Sequence, residues 1–264
     1  MQLDKLKEEY QQKLDFFKDP NFLFEEKAHV YSYEGSKFDS VTTFLRRFKT
    51  PFERNYWIQR KAQERGVDPS VIDAEWTQLA THAAALGTKV HKWIEDFWSG
   101  LEPELPENPE ELQRVNSFLD LYEARLSKLV PLESELKIFS KKWRLAGTID
   151  QPFLMWDEKS GKPLFLLGDW KTNKDFKDDN HPKGRYKKLL HPFVDLFENS
   201  LNEYSIQISL YRLILEEELG IETHSGFLVH LGPEGSKIYQ VKDLRERLKV
   251  YLQHNRENMD IFDV

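Results

Sequence analysis

Between residues 132 and 170 the chain reads as four short strand-like runs, at 132–139, 142–150, 152–157 and 163–170. Ser160-Gly161-Lys162 supplies a turn between the last two. An apolar helix follows at 202–219, stopped by Gly220, and then strands at 225–231 and 236–241 and a last helix at 242–258. Strands joined by tight turns pair antiparallel, whereas a strand reached through a helix is laid down parallel by a crossover. The order therefore predicts an α/β fold: a mostly antiparallel meander, a crossover helix and a further strand. Residues 173–200 lie between the meander and that helix as an irregular insertion, too long for a plain connection.

The first half is different. Helices are expected at 4–17, 52–65, 70–85 and 88–99. HVYSYEGSKFDSV reads as a small hairpin about Glu34-Gly35-Ser36, and Ser40 or Thr42 caps a helix running through Phe44 to Phe48. The loop LEPELPENPEEL leads to a helix that starts at Asn108 or Pro109 and carries Leu112, Val115, Leu119, Tyr122 and Leu126 on one stripe to about Leu129. The expected organisation is a helical region over 1–130 that contributes His91, and a core over 131–264 with the 173–200 insertion, integrated as one domain.

The chain has no cysteine, which excludes disulfides, thiolate metal sites, iron–sulfur clusters and cysteine nucleophiles. A cytoplasmic location fits that composition. MQLDKLKEEYQQKLDFF has no apolar run of the kind a secretory leader needs, and no run of 18 apolar residues suggests a membrane span. Net charge is −7, yet residues 44–65 hold seven Lys/Arg against two Glu, and residues 171–188 hold seven against three Asp. Such basic stretches with interleaved aromatics suit a nucleic-acid backbone, or are solvated faces.

Asp169-Trp170-Lys171 ends a strand, so Asp169 and Lys171 share a face and Trp170 points into packing. That pattern is also common as a surface ion pair. Asp150 ends LAGTID and can come beside Asp169 if the strands pair, with Gly147 allowing close approach. Two oxygen-rich groups without thiols favour magnesium or manganese over zinc. His91, in LGTKVHKWIEDF, shares a helical face with Glu95, and a helix start at Gly87-Thr88 could offer amides to a phosphate. Gln207 and Tyr211 sit four apart on the apolar helix and need polar partners there.

Taken in order, five motifs resemble the RecB-like exonuclease branch of the PD-(D/E)XK nuclease superfamily, in its phage and bacterial members. They are Gly87 to His91, the strand acid Glu135, Gly147 to Asp150, Asp169 to Thr172, and Gln207 to Tyr211, together covering about residues 85–231. The resemblance implies a restriction-endonuclease-like core. It implies one or two magnesium or manganese ions held by His91, Asp150, Asp169 and the Trp170 carbonyl, with no iron–sulfur cluster. Lys171 would activate or position water, with Gln207 and Tyr211 ordering it. Glu133, two residues before Glu135 on the same strand, is an alternative acid.

The implied activity is hydrolysis of DNA phosphodiester bonds, on single strands or free ends, as an exonuclease in recombination, repair or phage DNA processing. A structure-selective endonuclease and a non-catalytic nucleic-acid-binding module are the alternatives. A recombination or replication protein would be a partner; no membrane is involved. Lys183, Arg185, Lys187 and Lys188 are the expected phosphate grip, with Phe176 or Tyr186 stacking on a base. Arg46, Arg47, Arg54 and Arg60 offer a second path.

Overall fold

The extended run from Leu145 to Asp157 is broken at one residue, Asp150, and the two halves join different sheets. The structure, a computed structural model that describes residues 2–259, is α/β. Its elements are α1 (Gln2–Leu14), β1 (Phe22–Glu25), β2 (Val30–Tyr33), β3 (Ser36–Ser40), α2 (Val41–Leu45), α3 (Arg54–Arg65), α4 (Pro69–Trp98) and α5 (Pro109–Leu121). Then come β4 (Val130–Pro131), β5 (Leu136–Ser140), β6 (Leu145–Ile149), β7 (Gln151–Asp157), β8 (Lys162–Lys171), α6 (Ser200–Leu219), β9 (Ser225–Gly232), β10 (Gly235–Gln240) and α7 (Arg245–Met259). One mixed sheet runs β1-β2-β3-β6-β5 and the other β10-β9-β8-β7-β4. The antiparallel pairs β5–β6 and β7–β8 and the parallel pair β8–β9 across α6 follow the expected connectivity, distributed over two sheets rather than one.

Side-chain alternation sorts the second sheet into two faces. Phe153, Leu166, Trp170, Val229 and Leu231 pack with Val90 and Ile94 of α4 and Val115 and Phe118 of α5. Leu154, Phe165, Leu167 and Leu228 belong to a second core with Ile206, Leu210 and Leu213 of α6. From Ser205 to Leu215 every residue of α6 is buried, so this helix is enclosed on all sides. Asn199 caps it through Asn202 N–H (3.0 Å), and Gly220 ends it at φ 62°.

The N-terminal hairpin is not an appendage. Its strand β3 pairs in parallel with β6, Asp39 opposite Leu145 and Ser40 opposite Ala146, so one sheet crosses residue 130. Ser40 is the cap of α2, accepting from Thr43 N–H at 3.0 Å. The expected helices at 70–85 and 88–99 are one helix of 30 residues, capped by Asp68 with Pro69 at its first position. Gly87 is not a break: a Cβ there would lie 3.1 Å from Thr172 Oγ1, so the glycine admits the end of β8. Its amide lies inside the helix, which removes the expected phosphate seat at Gly87-Thr88.

Two further expectations change. The helix expected to run to Leu129 leaves α-geometry after Leu121 through a π-turn over Tyr122–Leu126. The strand expected at 132–139 forms only from Leu136, as β5; β4 lies before it at Val130–Pro131, and Glu135 sits in the turn between them at φ 50°. The insertion is short of regular structure but folded onto the body. Phe176, Leu189 and Phe193 are buried, Leu190 N–H donates to Phe48 O (2.8 Å), and Asp179 accepts from Asn199, Asn202 and Lys242.

Candidate active site

Where β7 and β8 stop pairing, Gln151 lies opposite Gly168, which puts Asp150 opposite Asp169 at the next position. Asp150 Oδ2 accepts the Trp170 N–H at 2.8 Å, fixing the bend to the end of β8. His91 reaches over from α4, its Nδ1 3.5 Å from the same oxygen. Glu135 enters from the turn before β5. One ligand atom from each of His91, Glu135 and Asp150 lies within 4.8 Å of the others, and all three residues are half-buried. Glu133 is elsewhere, paired with Lys18 at 2.8 Å, so of the two strand acids Glu135 faces the site.

Asp169 is expected in the same ligand set, but its carboxylate has other partners. Lys171 Nζ is 2.6 Å from Oδ2, and Gln207 Nε2 donates to Oδ1 at 3.4 Å. The groups that converge are thus His91, Glu135 and Asp150, with the Asp169–Lys171 pair beside them. Trp170 points the other way into the α4–α5 core, as alternation requires. Gln207 also donates to Tyr211 Oη at 3.0 Å. Tyr211 packs against the strand: a Cβ on Gly147 would sit 2.6 Å from its ring, so only glycine fits there.

Burial lifts the Glu135 carboxyl to about 7, and Asp150 and then Glu95 add to the effect. Burial also lifts Asp169; Lys171 pulls it back and Asp150 lifts it again, for a net rise. Burial alone would depress Lys171, but Asp169 and Asp150 outweigh it and hold the ammonium above its ordinary range. Tyr211 is raised by burial and by Asp169. The pattern is a half-buried set of like-charged oxygens lacking enough cation, which is what a bound divalent ion relieves.

Three contributors escaped the sequence reading. Tyr204 supports Lys171, whose Nζ lies 4.5 Å from its ring centroid. Its signal was available, since Tyr204, Gln207 and Tyr211 form an i, i+3, i+7 stripe. Tyr31 bonds Thr148 Oγ1 at 2.9 Å from the N-terminal hairpin, and no spacing announces it. Gln151, wholly buried, holds the turn that carries Glu135.

The expected nucleic-acid residues divide. Arg47 pairs with Asp39 (2.7 Å), Arg54 with Asp73 (2.6 Å) and Arg60 with Glu64 (3.2 Å), while Arg46 is exposed. In the insertion Lys183, Arg185, Lys187 and Lys188 are exposed; Arg185 donates to Asp179 O, and Lys188 to Asp195 O at 2.6 Å. Tyr186 is 77% exposed. Phe176 is not available to a base: it is buried and stacked on Tyr239 with centroids 4.2 Å apart.

No helix among the described residues is long and apolar enough to cross a membrane. No family model matches the chain, and no curated protein matches it. A solved structure described as "Crystal structure of SSO0001" is 14% identical, with 98% of this chain and 86% of that one covered, at a TM-score of 0.34. A likeness of that size carries no argument about function.

Proposed function

We propose that this chain is a divalent-metal-dependent nuclease of the RecB-like PD-(D/E)XK type, hydrolysing phosphodiester bonds in DNA as an exonuclease of recombination, repair or phage DNA processing. The observation that carries this reading is the convergence of His91, Glu135 and Asp150 beside the Asp169–Lys171 pair at the end of β8. The donor set, carboxylate oxygens with one imidazole, fits magnesium or manganese. His91, Glu135 and Asp150 would hold the ion, with Asp169 and the Trp170 carbonyl as the further ligands the family resemblance implies. When bound, such an ion polarises a phosphoryl oxygen and makes a water a better nucleophile.

The chain's own groups supply the rest. Lys171, held protonated by two carboxylates, places a positive charge where negative charge develops on the phosphate. Tyr204 and Asp169 fix its ammonium from two sides. Gln207 orients the Asp169 carboxylate and is itself set by Tyr211. The exposed cations of the insertion are the phosphate grip, and Tyr186 is the ring that stacks on an unpaired base.

The test compares end-labelled linear, circular single-stranded and nicked DNA with magnesium, manganese or a chelator, for wild type and Asp150→Asn. Cutting that needs ends and metal, and that Asp150→Asn loses, is the expected result. Cutting of circles or nicks makes the protein an endonuclease. Binding without cutting in either metal would leave a nucleic-acid-binding module.

A further inference from the structure

Glu135 occupies a conformation that glutamate rarely adopts. Its φ of 50° is left-handed, a region open to glycine and tolerated by asparagine, but strained for longer side chains. Nothing in the side chain itself favours it, so the surroundings must impose it. They do so from the strand opposite. Glu135 N–H donates to Asp150 O at 2.9 Å, and Leu132 N–H to Pro152 O at 3.0 Å, which fastens both ends of the turn to the start of β7.

Between those two bonds lies the Gln151 side chain, with no exposed surface. Its Oε1 accepts from Ser134 Oγ at 2.5 Å. Its Nε2 donates to Leu132 O at 3.3 Å and to Pro152 O at 3.1 Å. Both hydrogens of the amide and its oxygen are therefore used, which is what a buried amide requires. Gln151 follows Asp150 directly, so alternation sends it away from the carboxylate and towards the turn. The same two-residue step thus supplies one ligand directly and governs a second through the backbone.

We propose that Gln151 and Ser134 are positioning residues that set the divalent-ion affinity of the site by holding Glu135 in its left-handed conformation. The inference rests on the metal-dependent reading of His91, Glu135 and Asp150. Neither residue reaches the converging ligand atoms, so loss of the clamp frees Glu135 to relax to an ordinary conformation and withdraws one carboxylate. Partners of this kind, one bond removed from a ligand, are worth roughly 10–100-fold in metal affinity.

The experiment is a calorimetric titration of the full chain with manganese, in wild type, Asp150→Asn, Ser134→Ala, Ser134→Thr and Gln151→Met. Half-saturating magnesium for DNA cleavage is measured in parallel. Manganese binding that Ser134→Ala and Gln151→Met weaken about tenfold or more, and that Ser134→Thr retains, is the expected result. The half-saturating magnesium concentration rises in Ser134→Ala in step with its weakened manganese binding, and Ser134→Thr restores both. Should Gln151→Met not fold, the Ser134→Ala and Ser134→Thr pair decides. Wild-type affinity in Ser134→Ala overturns the proposal while leaving the metal centre standing. Absence of manganese binding in wild type, or its persistence in Asp150→Asn, overturns the metal reading itself.

Discussion

Trp170 and its neighbours Asp169 and Lys171 are one peptide apart on β8, yet they face opposite surroundings. Trp170 is buried against Phe118 and Phe153 in a predominantly apolar layer. Asp169 and Lys171 are turned to the α6 side, where an ion pair, an amide and two tyrosines meet. The apolar face gains from excluding water and lowers the free energy of the fold. The charged face costs desolvation that only a compensating charge or a bound ion returns. One strand end thus divides stability and chemistry between alternate residues, and substitutions on its two faces should fail in different assays.

The largest effect is expected on the apolar face. Trp170→Ala removes a buried indole and leaves a cavity, at about 3–5 kcal/mol. Urea denaturation should show a lower midpoint with an unchanged slope. A loss under about 1 kcal/mol would mean that the face collapses to fill the gap, and the division between faces would blur.

On the charged face, Lys171→Ala should lower the single-turnover cleavage rate by roughly 10²–10³ with DNA affinity near wild type. The fold should tolerate the change, because burial already favours the protonated form of Asp169. Weaker binding at an unchanged rate would make Lys171 a phosphate anchor and would put ground-state binding, not chemistry, on this face.

How much of this division could be read from the residues depended on range. The period-2 alternation of Asp169, Trp170 and Lys171 gave both faces of β8, because strand geometry is local. The Gln207–Tyr211 pair was legible from local helix spacing, whereas Gly147, expected to allow close backbone approach, instead admits the Tyr211 ring from α6. That Gly87 lies inside one continuous α4 was not legible, since what the glycine accommodates there is Thr172, 85 positions away. Nor was the parallel pairing of β3 with β6, whose partners Asp39 and Leu145 are 106 positions apart. At the site, the residue types were visible but the grouping was not. Asp169 was set among the ligands, and its contacts with Lys171 and Gln207 were not legible; nor was the placing of Glu135, which comes forward through a left-handed turn that no pattern in ESELK predicts.

The cost of the charged face can be tested directly at Glu135. Its folded pKa of about 7 lies above the ordinary 4.5, so protonation favours the folded state. The stability this contributes is fully present below pH 4.5 and is lost as pH rises through 7. In chelator, Glu135→Gln should therefore be more stable than wild type at pH 8, by about 1–3 kcal/mol after allowance for partial exposure. At low pH the two should converge. Saturating magnesium should reverse the order at pH 8, because the amide is the poorer ligand. Equal stability of the two proteins in chelator at pH 8 would show that this carboxylate is solvated, and that the charged face costs less than its burial implies.

The smallest effect on stability, and the one that separates the site from its surroundings, concerns the two basic stretches. In residues 44–65 the cations Arg54 and Arg60 are committed to Asp73 and Glu64, and Arg47 to Asp39. A phosphate approaching them must displace a carboxylate. At 183–188 the four cations are exposed; Arg185 donates to the backbone carbonyl of Asp179, and Lys188 donates to the carbonyl of Asp195 and lies over the Phe197 ring at 3.7 Å, contacts that do not pair either cation in a close side-chain salt bridge. The insertion that carries these cations begins two residues beyond Lys171, so the chain leads from the site to the grip. Replacing Lys183, Arg185, Lys187 and Lys188 together by Ala should flatten the log–log salt dependence of single-strand binding by up to ~3 units. Unfolding stability should move little, since the buried anchors of the insertion, Phe176, Leu189 and Phe193, are untouched. The matching replacement of Arg46, Arg47, Arg54 and Arg60 should change the slope less, because three of those charges are already neutralised. If instead the first set left the slope unchanged and the second flattened it, the DNA path would cross α2 and α3, and ion pairing in the free protein would be no guide to which cations meet phosphate.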